Sequence, residues 1–378
     1  MGTKNTTLLV AVVIIILGAI YYLEPKTPAT SPVSSVAVTP VHSQSEAGLS
    51  RRAEKAKQFK MAKEIVNPSG FINTQDNKPI SIQSLVGKKI ILLDIWTYSC
   101  INCQRTFPYL KDWYAKYKDK GLEIIGLHAP EFDFEKDYGN VSSAVKKFGI
   151  TWPVVLDNDF STARSYGMRY WPEEYLIDID GFIVHKSVGE GGYAETEMKI
   201  QELLSERMKV LGESGEVAEP ISKFDSGSLS QVGSPETYFG SARNGYLGNG
   251  VSGQSGEKVF TLPSEFQSNK LYLGGRWNVR NEYAETVSAQ TEIVFKYKAR
   301  NVYFVARAVS NDIVTVLRDG KPLRAEKGAD ISVVGGESQT TIGESRLYKL
   351  IENDDGEEHT LRLIISKPGL QAYTFTFG

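Results

Sequence analysis

Cysteine is nearly missing from this chain: its 378 residues hold two, Cys100 and Cys103. That scarcity excludes a disulfide-stapled framework and leaves no stray thiol to mispair in an oxidising compartment. Histidine is almost as rare, with four scattered residues; a structural zinc site needs about four ligands, so no metal or other cofactor is expected. Basic charge is not in excess either. The 43 lysines and arginines stand against 45 aspartates and glutamates, for a net charge of −2, and no basic patch interleaved with aromatics offers nucleic acid a surface. Long uncharged apolar runs are confined to residues 6–23 (TTLLVAVVIIILGAIYYL).

That run is long enough to cross most of a bilayer as one helix, with Tyr21 and Tyr22 suited to the interface. A signal peptide could also begin this way, but the length of the run and the lack of a small-x-small cleavage site favour an anchor over residues 1–24. Lys4 on one side and Glu24 and Lys26 on the other leave its orientation open. Residues 25–45 (PKTPATSPVSSVAVTPVHSQS) have the composition of an exported, disordered linker. The expected arrangement is a single span in the cytoplasmic membrane, with everything after it on the extracytoplasmic side.

Both cysteines fall in one stretch, Ile95 to Arg105 (IWTYSCINCQR), directly after the apolar run 89–96 (KIILLDIW). From Cys103 to Lys118 the apolar residues Phe107, Leu110, Trp113, Tyr114 and Tyr117 recur at helical spacing. The pattern predicts a buried strand delivering a dithiol to a helix N-terminus, where unpaired N–H groups and the helix dipole stabilise a thiolate. Cys100, at the helix start, is then the attacking sulfur, and Cys103, one turn in, the resolving one. A plain staple is the alternative, but so short a loop stabilises little.

Around that stretch, residues 46–212 read as an α/β layered domain. A charged helix is expected over 46–65, a hairpin of Phe71–Asn73 with Ile80–Leu85, further buried strands at 121–127, 152–157, 174–179 and 182–188, and a closing amphipathic helix over 196–211. Residues 213–234 read as a linker. From 235 to 378 the texture becomes period-two alternation broken by turns such as Asp319-Gly320 and Asp355-Gly356, with no helix of any length, which predicts a β-sandwich of roughly nine strands.

Residues 60–212 resemble the thioredoxin superfamily, in its TlpA/redoxin-like extracytoplasmic branch. Asp94 stands six residues before Cys100, Pro108 lies inside the helix, and Trp171-Pro172 precedes the strand Tyr175–Asp178. The runs 96–103 (WTYSCINC), 170–178 (YWPEEYLID) and 189–193 (GEGGY) are similar to the soluble C-terminal part of DipZ-type proteins, whose thioredoxin domain is followed by a jelly-roll, carbohydrate-binding-like sandwich. The resemblance implies a thioredoxin-like fold and a thiol-disulfide oxidoreductase. It implies that Asp94 is a buried proton acceptor for Cys103, and that Pro172 is a cis-proline facing the disulfide. Burial in an apolar strand suits Asp94 to that role by raising its pKa. Backbone groups beside Pro172 would pair with an extended substrate segment, and Trp96, Tyr98 and Trp171 could rim the docking site. Glu131 sits where TlpA- and ResA-type proteins keep a loop glutamate near the dithiol. His128 and Arg105 read as an ordinary strand-end residue and an exposed helix residue.

The expected function is a membrane-anchored reductant of exported disulfide-containing proteins or apocytochromes. DipZ-type proteins carry a multi-spanning CcdA-like portion in the same chain; with one span expected here, a separate membrane electron donor of the CcdA or DsbD kind is implied. An oxidase or isomerase would use the same cysteines in the opposite direction. A glycan- or partner-binding surface protein is a further alternative, drawing on Trp277, Tyr272 and Tyr246 of the sandwich.

Overall fold

A computed structural model describes residues 46–217, 219–220, 233–352 and 355–378. The expected anchor (1–24), the linker at 25–45 and most of the linker at 213–234 lie outside the described residues. Among the described residues no helix is long and apolar enough to cross a membrane. The chain divides into Met1–Ser50 and Arg51–Gly378, and the second unit holds the contacts that follow.

Its first sheet has seven strands: β1 (Lys60–Met61), β2 (Gly70–Ile72), β3 (Ile90–Trp96), β4 (Leu122–His128), β5 (Val154–Leu156), β6 (Glu173–Ile177) and β7 (Phe182–Val188), in the spatial order 1-7-6-3-4-5-2. The helices are α1 (Glu46–Lys55), α2 (Ile82–Leu85), α3 (Ile101–Tyr117), α4 (Tyr138–Phe148), α5 (Ser161–Tyr166) and α6 (Tyr193–Leu211). β3, β4 and β5 run parallel, while β6 and β7 run antiparallel to their neighbours. β3 is central and every residue of it is buried, which is why it reads as an unbroken apolar run rather than an alternating one.

Its two faces serve two cores. Ile90, Leu92 and Trp96 pack with Cys103, Phe107, Leu110 and Trp113 of α3 and with Ile200, Leu203 and Leu204 of α6. Ile91, Leu93 and Ile95 join Ile125, Leu127, Tyr175 and Ile177 on the other face. Strand alternation puts Asp94 on the α3 face.

Two local expectations change. The predicted hairpin is absent: β2 pairs with β5, and Ile82–Leu85 is a single helical turn. Ser81 Oγ accepts from the Ser84 N–H at 3.2 Å, and the Glu64 carboxylate accepts from the Ile82 and Gln83 N–H groups at 2.9 and 3.0 Å. A distant carboxylate thus satisfies donors that a helix start leaves open, which decides a short run of ambiguous pattern. The helix expected over 46–65 stops at Lys55, because Lys60 and Met61 pair with Ile183 and Phe182 of β7.

The C-terminal region is β-rich, with thirteen strands between Thr237 and Phe377 and no helix among its described residues. The strand Leu271–Val279 turns a corner. Its first half pairs with Glu292–Phe295, and its second half with Gly256–Phe260 and Ala284–Thr286. Gly275 stands at the switch with φ +88°, where a Cβ would meet Thr291 Cγ2 at 2.9 Å, so only glycine fits.

Trp277 and Tyr272, expected as exposed stacking rings, are buried. Each satisfies its polar atom locally: Trp277 Nε1 donates to Gly274 O at 2.9 Å, and Tyr272 Oη accepts from the Gln267 N–H at 3.0 Å. Nothing then holds these rings at the surface. Tyr246 alone of the three is exposed. The two regions share a core, because Tyr303, Val305, Leu347 and Tyr373 of the β-rich region pack into the cluster that holds Cys103.

Candidate active site

Cys100 is the N-cap residue of α3, in extended conformation at φ −79° and ψ 120°, and its carbonyl accepts the Gln104 N–H at 3.1 Å. Among the described residues the cap has no side-chain hydrogen bond, and the positive end of the helix faces the sulfur. Both cysteines are free thiols, Cys100 half-buried and Cys103 fully buried. Burial pushes the Cys103 thiol well above its ordinary value. The hydrogen bond with Cys100 and its charge act in the same direction, as does Asp94 more weakly. Cys103 therefore keeps its proton until something takes it.

The Trp171–Pro172 peptide is cis, and Cys100 Sγ lies 3.8 Å from Trp171 O. Beneath the dithiol Asp94 is buried, and neither of its oxygens has a hydrogen-bond partner among the described residues. Burial, and after it the charge of Glu174, holds its carboxyl well above the usual carboxylate range. Cys100, Cys103, Asp94, Pro172 and Trp171 are thus brought to one place.

The expected rim is not. Trp96 and Tyr98 are only 1% and 4% exposed. Trp96 packs edge-on against Phe107 and His128. Tyr98 is covered by the β-rich region, its hydroxyl donating to Ser345 O at 3.1 Å. Of the three only Trp171 lines the cavity beside Cys100, with its indole N–H donated to Ala129 O at 2.8 Å.

Other residues differ from their sequence reading. His128 is fully buried; burial depresses it to about 3, which keeps the ring neutral, and Nδ1 has no partner among the described residues. Arg105 is clamped by Glu190 at 2.6 and 2.7 Å and donates to Asn102 Oδ1 at 2.7 Å, so its charge is already committed. Glu131 lines the cavity beside Cys100 and is tied across it: it accepts from Tyr238 Oη at 2.8 Å and from Arg243 Nη1 at 2.6 Å, both from the β-rich region. The Arg243 guanidinium also stacks over Tyr238, 3.6 Å from the ring centroid.

Glu135 escaped sequence reasoning altogether. Fully buried, it accepts from Ser99 N and Oγ at 3.1 and 2.7 Å and from the Glu131 and Phe132 N–H groups at 2.6 and 3.0 Å. It therefore fixes the loop that delivers Cys100, and no local signal separates it from neighbouring acids in the run 131–137 (EFDFEKD). Its carboxyl is raised, first by burial.

Cys100 opens onto a cavity of about 620 Å³. Trp171, Arg105 and Glu131 line one side, and Tyr238, Arg243 and Thr374 the other. The β-rich region is thus a wall of the dithiol's cavity. Elsewhere Asp178, Asp180 and Glu206 lie close enough together to share a metal. Lys55 Nζ already bonds Asp178 and Asp180 at 2.6 and 3.2 Å, and Glu206 as well, so the cluster carries its own cation.

Residues 53–186 match the AhpC/TSA family, and residues 234–378 the family described as a thioredoxin-like C-terminal domain. The thiol-disulfide oxidoreductase ResA of Bacillus cereus is 32% identical over 136 residues, covering 36% of this chain and 75% of ResA. The chain belongs to the thioredoxin-like thiol-disulfide oxidoreductases. Protein DipZ of Mycobacterium tuberculosis is 37% identical over 311 residues, 82% of this chain. The chain spans 42% of the length of that relative. A thiol:disulfide interchange protein from Chlorobium tepidum, of known structure, aligns with 39% of this chain and 97% of its own at 20% identity and a TM-score of 0.33.

The Glu131–Arg243 contact ties the dithiol loop to the β-rich region. Arg243→Ala leaves Glu131 without its cation, and stability is expected to fall by about 1–2 kcal/mol. That is less than for a deeply buried pair, because the arginine side chain is 39% exposed. Urea unfolding of the full chain checks this; an unchanged midpoint would show that the pair contributes nothing.

Proposed function

We propose that Cys100 and Cys103 cycle between dithiol and disulfide to reduce exported disulfide-containing proteins or apocytochromes. The observation that carries this reading is the asymmetry of the pair: Cys100 lies at a helix N-terminus and opens onto the cavity, whereas Cys103 is buried and held protonated. The Cys100 thiolate attacks a substrate sulfur, a Cys100–substrate disulfide forms, and the first substrate thiolate leaves. Cys103 then loses its proton and attacks Cys100 Sγ, closing the Cys100–Cys103 disulfide and releasing the second thiolate. Two electrons pass to the substrate.

The reading places the chain outside the cytoplasmic membrane, anchored by residues 6–23, with a membrane donor of the CcdA or DsbD kind restoring the dithiol. The substrate segment lies extended beside Trp171–Pro172. The β-rich region is read as a sandwich module that narrows access to Cys100. A glycan-binding role has less support, because two of the three aromatic rings it would use are buried.

Titration of the full chain against glutathione or dithiothreitol tests the direction of transfer. The expected reduction potential lies near that of thioredoxin, about −270 mV. A value approaching DsbA's, about −120 mV, would make the protein an oxidant.

A further inference from the structure

Across the sheet, one side chain stands beside Asp94. On β4 its register partner is Gly126, where a Cβ would lie 2.8 Å from Trp96 Nε1 and 3.1 Å from Trp152 Nε1, so that strand has no room to present a cation. On β6 the partner is Glu174. Directly opposed residues of antiparallel strands hold their Cβ atoms about 5 Å apart on the same face, here the face covered by α3 and α6. Asp94 is 1% and Glu174 4% exposed. Both oxygens of Asp94 and Oε1 of Glu174 have no hydrogen-bond partner among the described residues.

Among the described residues, the groups around the pair bring it no positive charge. α3 contributes the thiols of Cys100 and Cys103. Tyr193 of α6 shares its hydroxyl with Thr106 at 3.3 Å, and Arg105 is taken by Glu190. On β7, Ser187 opposes Glu174. His185, on the same face, lies 3.4 Å from Thr196 Oγ1 and senses Glu195 and Lys199. Two carboxylates so placed cannot both ionise cheaply, and a single proton held by the two gives one of the bare oxygens a donor.

We propose that Asp94 and Glu174 form one proton-sharing pair that takes up the proton leaving Cys103 when the mixed disulfide is resolved. The inference rests on the cycle described above. In that step the Cys103 S–H bond breaks and its proton passes to the Asp94 carboxylate. The Cys103 thiolate forms the S–S bond to Cys100, and the Cys100–substrate bond breaks with its electron pair on the substrate sulfur. Glu174 is a positioning residue acting through Asp94: it sets how readily Asp94 holds a proton. Both carboxyls are displaced upward by burial, Glu174 to about 7, so the two titrate as one coupled pair.

Side-chain carboxyl ¹³C titration of the full chain, with single-turnover kinetics of the resolving step across pH, tests the pairing. In the wild type both carboxyls are expected to report the same two steps. In Glu174→Gln, Asp94 is expected to titrate in one step at lower pH, and the limb of the rate profile to move with it. An Asp94 titration and rate profile unaffected by Glu174→Gln would overturn the proposal. If that variant fails to fold, Asp94→Asn gives the reciprocal measurement: Glu174 must then titrate in one step at lower pH, and an unchanged curve overturns the pairing. Absence of disulfide turnover by the wild-type chain, with the coupled titration intact, would instead overturn the cycle on which the proposal rests.

Discussion

Cys100→Ser is expected to abolish disulfide reduction by the full chain, lowering the rate about 10³-fold or more, as loss of a covalent nucleophile does. Cys103→Ser is expected to behave differently. Its Cys100 still attacks, because it remains at the N-cap of α3 facing the cavity. With no resolving thiol one turn on, the Cys100–substrate disulfide accumulates to one equivalent. Mass spectrometry of the two variants after exposure to a disulfide substrate separates them. Trapping by Cys100→Ser rather than by Cys103→Ser would reverse the assignment, and trapping by neither would sink the redox cycle. The geometry argues for the stated order, since Cys103 is fully buried and cannot meet a substrate sulfur first.

Asp94→Asn is expected to slow the resolving step about 10²-fold, the lower range for loss of a positioned general base, and to stabilise the protein at alkaline pH. The second effect follows from burial. A carboxyl whose folded pKa lies above its unfolded value binds its proton more tightly when folded. The stability it confers is therefore present at acid pH and is lost as pH rises through the folded value. For Glu174 the window runs from the ordinary 4.5 to about 7, and a displacement of that size corresponds to about 3 kcal/mol. Asp94 moves in the same direction, so the wild type is expected to lose stability as pH rises from about 5 through about 7, the window that Glu174 sets. Asp94→Asn removes its share of the decline. Urea unfolding at both pH values checks the sign, and a variant with the same pH dependence as the wild type would show that Asp94 ionises freely.

Much of the first region is legible in the amino-acid sequence. The run 89–96 carries its own evidence as a central strand, and the spacing of Phe107, Leu110, Trp113 and Tyr117 that of the helix it feeds, because both follow from local periodicity. With only two cysteines in the chain there is one place for dithiol chemistry. Alternation from residue 259 onward is sufficient to recognise a β-rich region, though not to count its strands. A strand that changes partner at Gly275 looks, in sequence, like one run followed by a turn.

Other features are set by contacts between residues far apart in the chain. Trp96 and Tyr98 look like a docking rim because aromatics beside a reactive cysteine read that way; packing against His128 and the β-rich region buries them. Glu131 takes its cation from Arg243, 112 residues away. Glu135 and Glu174 are two acids among many until the fold closes one onto the Ser99 loop and places the other across the sheet from Asp94. Spacing along the chain determined which sulfur sits at the helix start and which carboxylate lies beneath it, since those distances span a turn of helix or a short strand. Which groups surround that dithiol, and so what protonation state and access it has, was decided by strand register and by the packing of the β-rich region, both of which depend on long-range contacts.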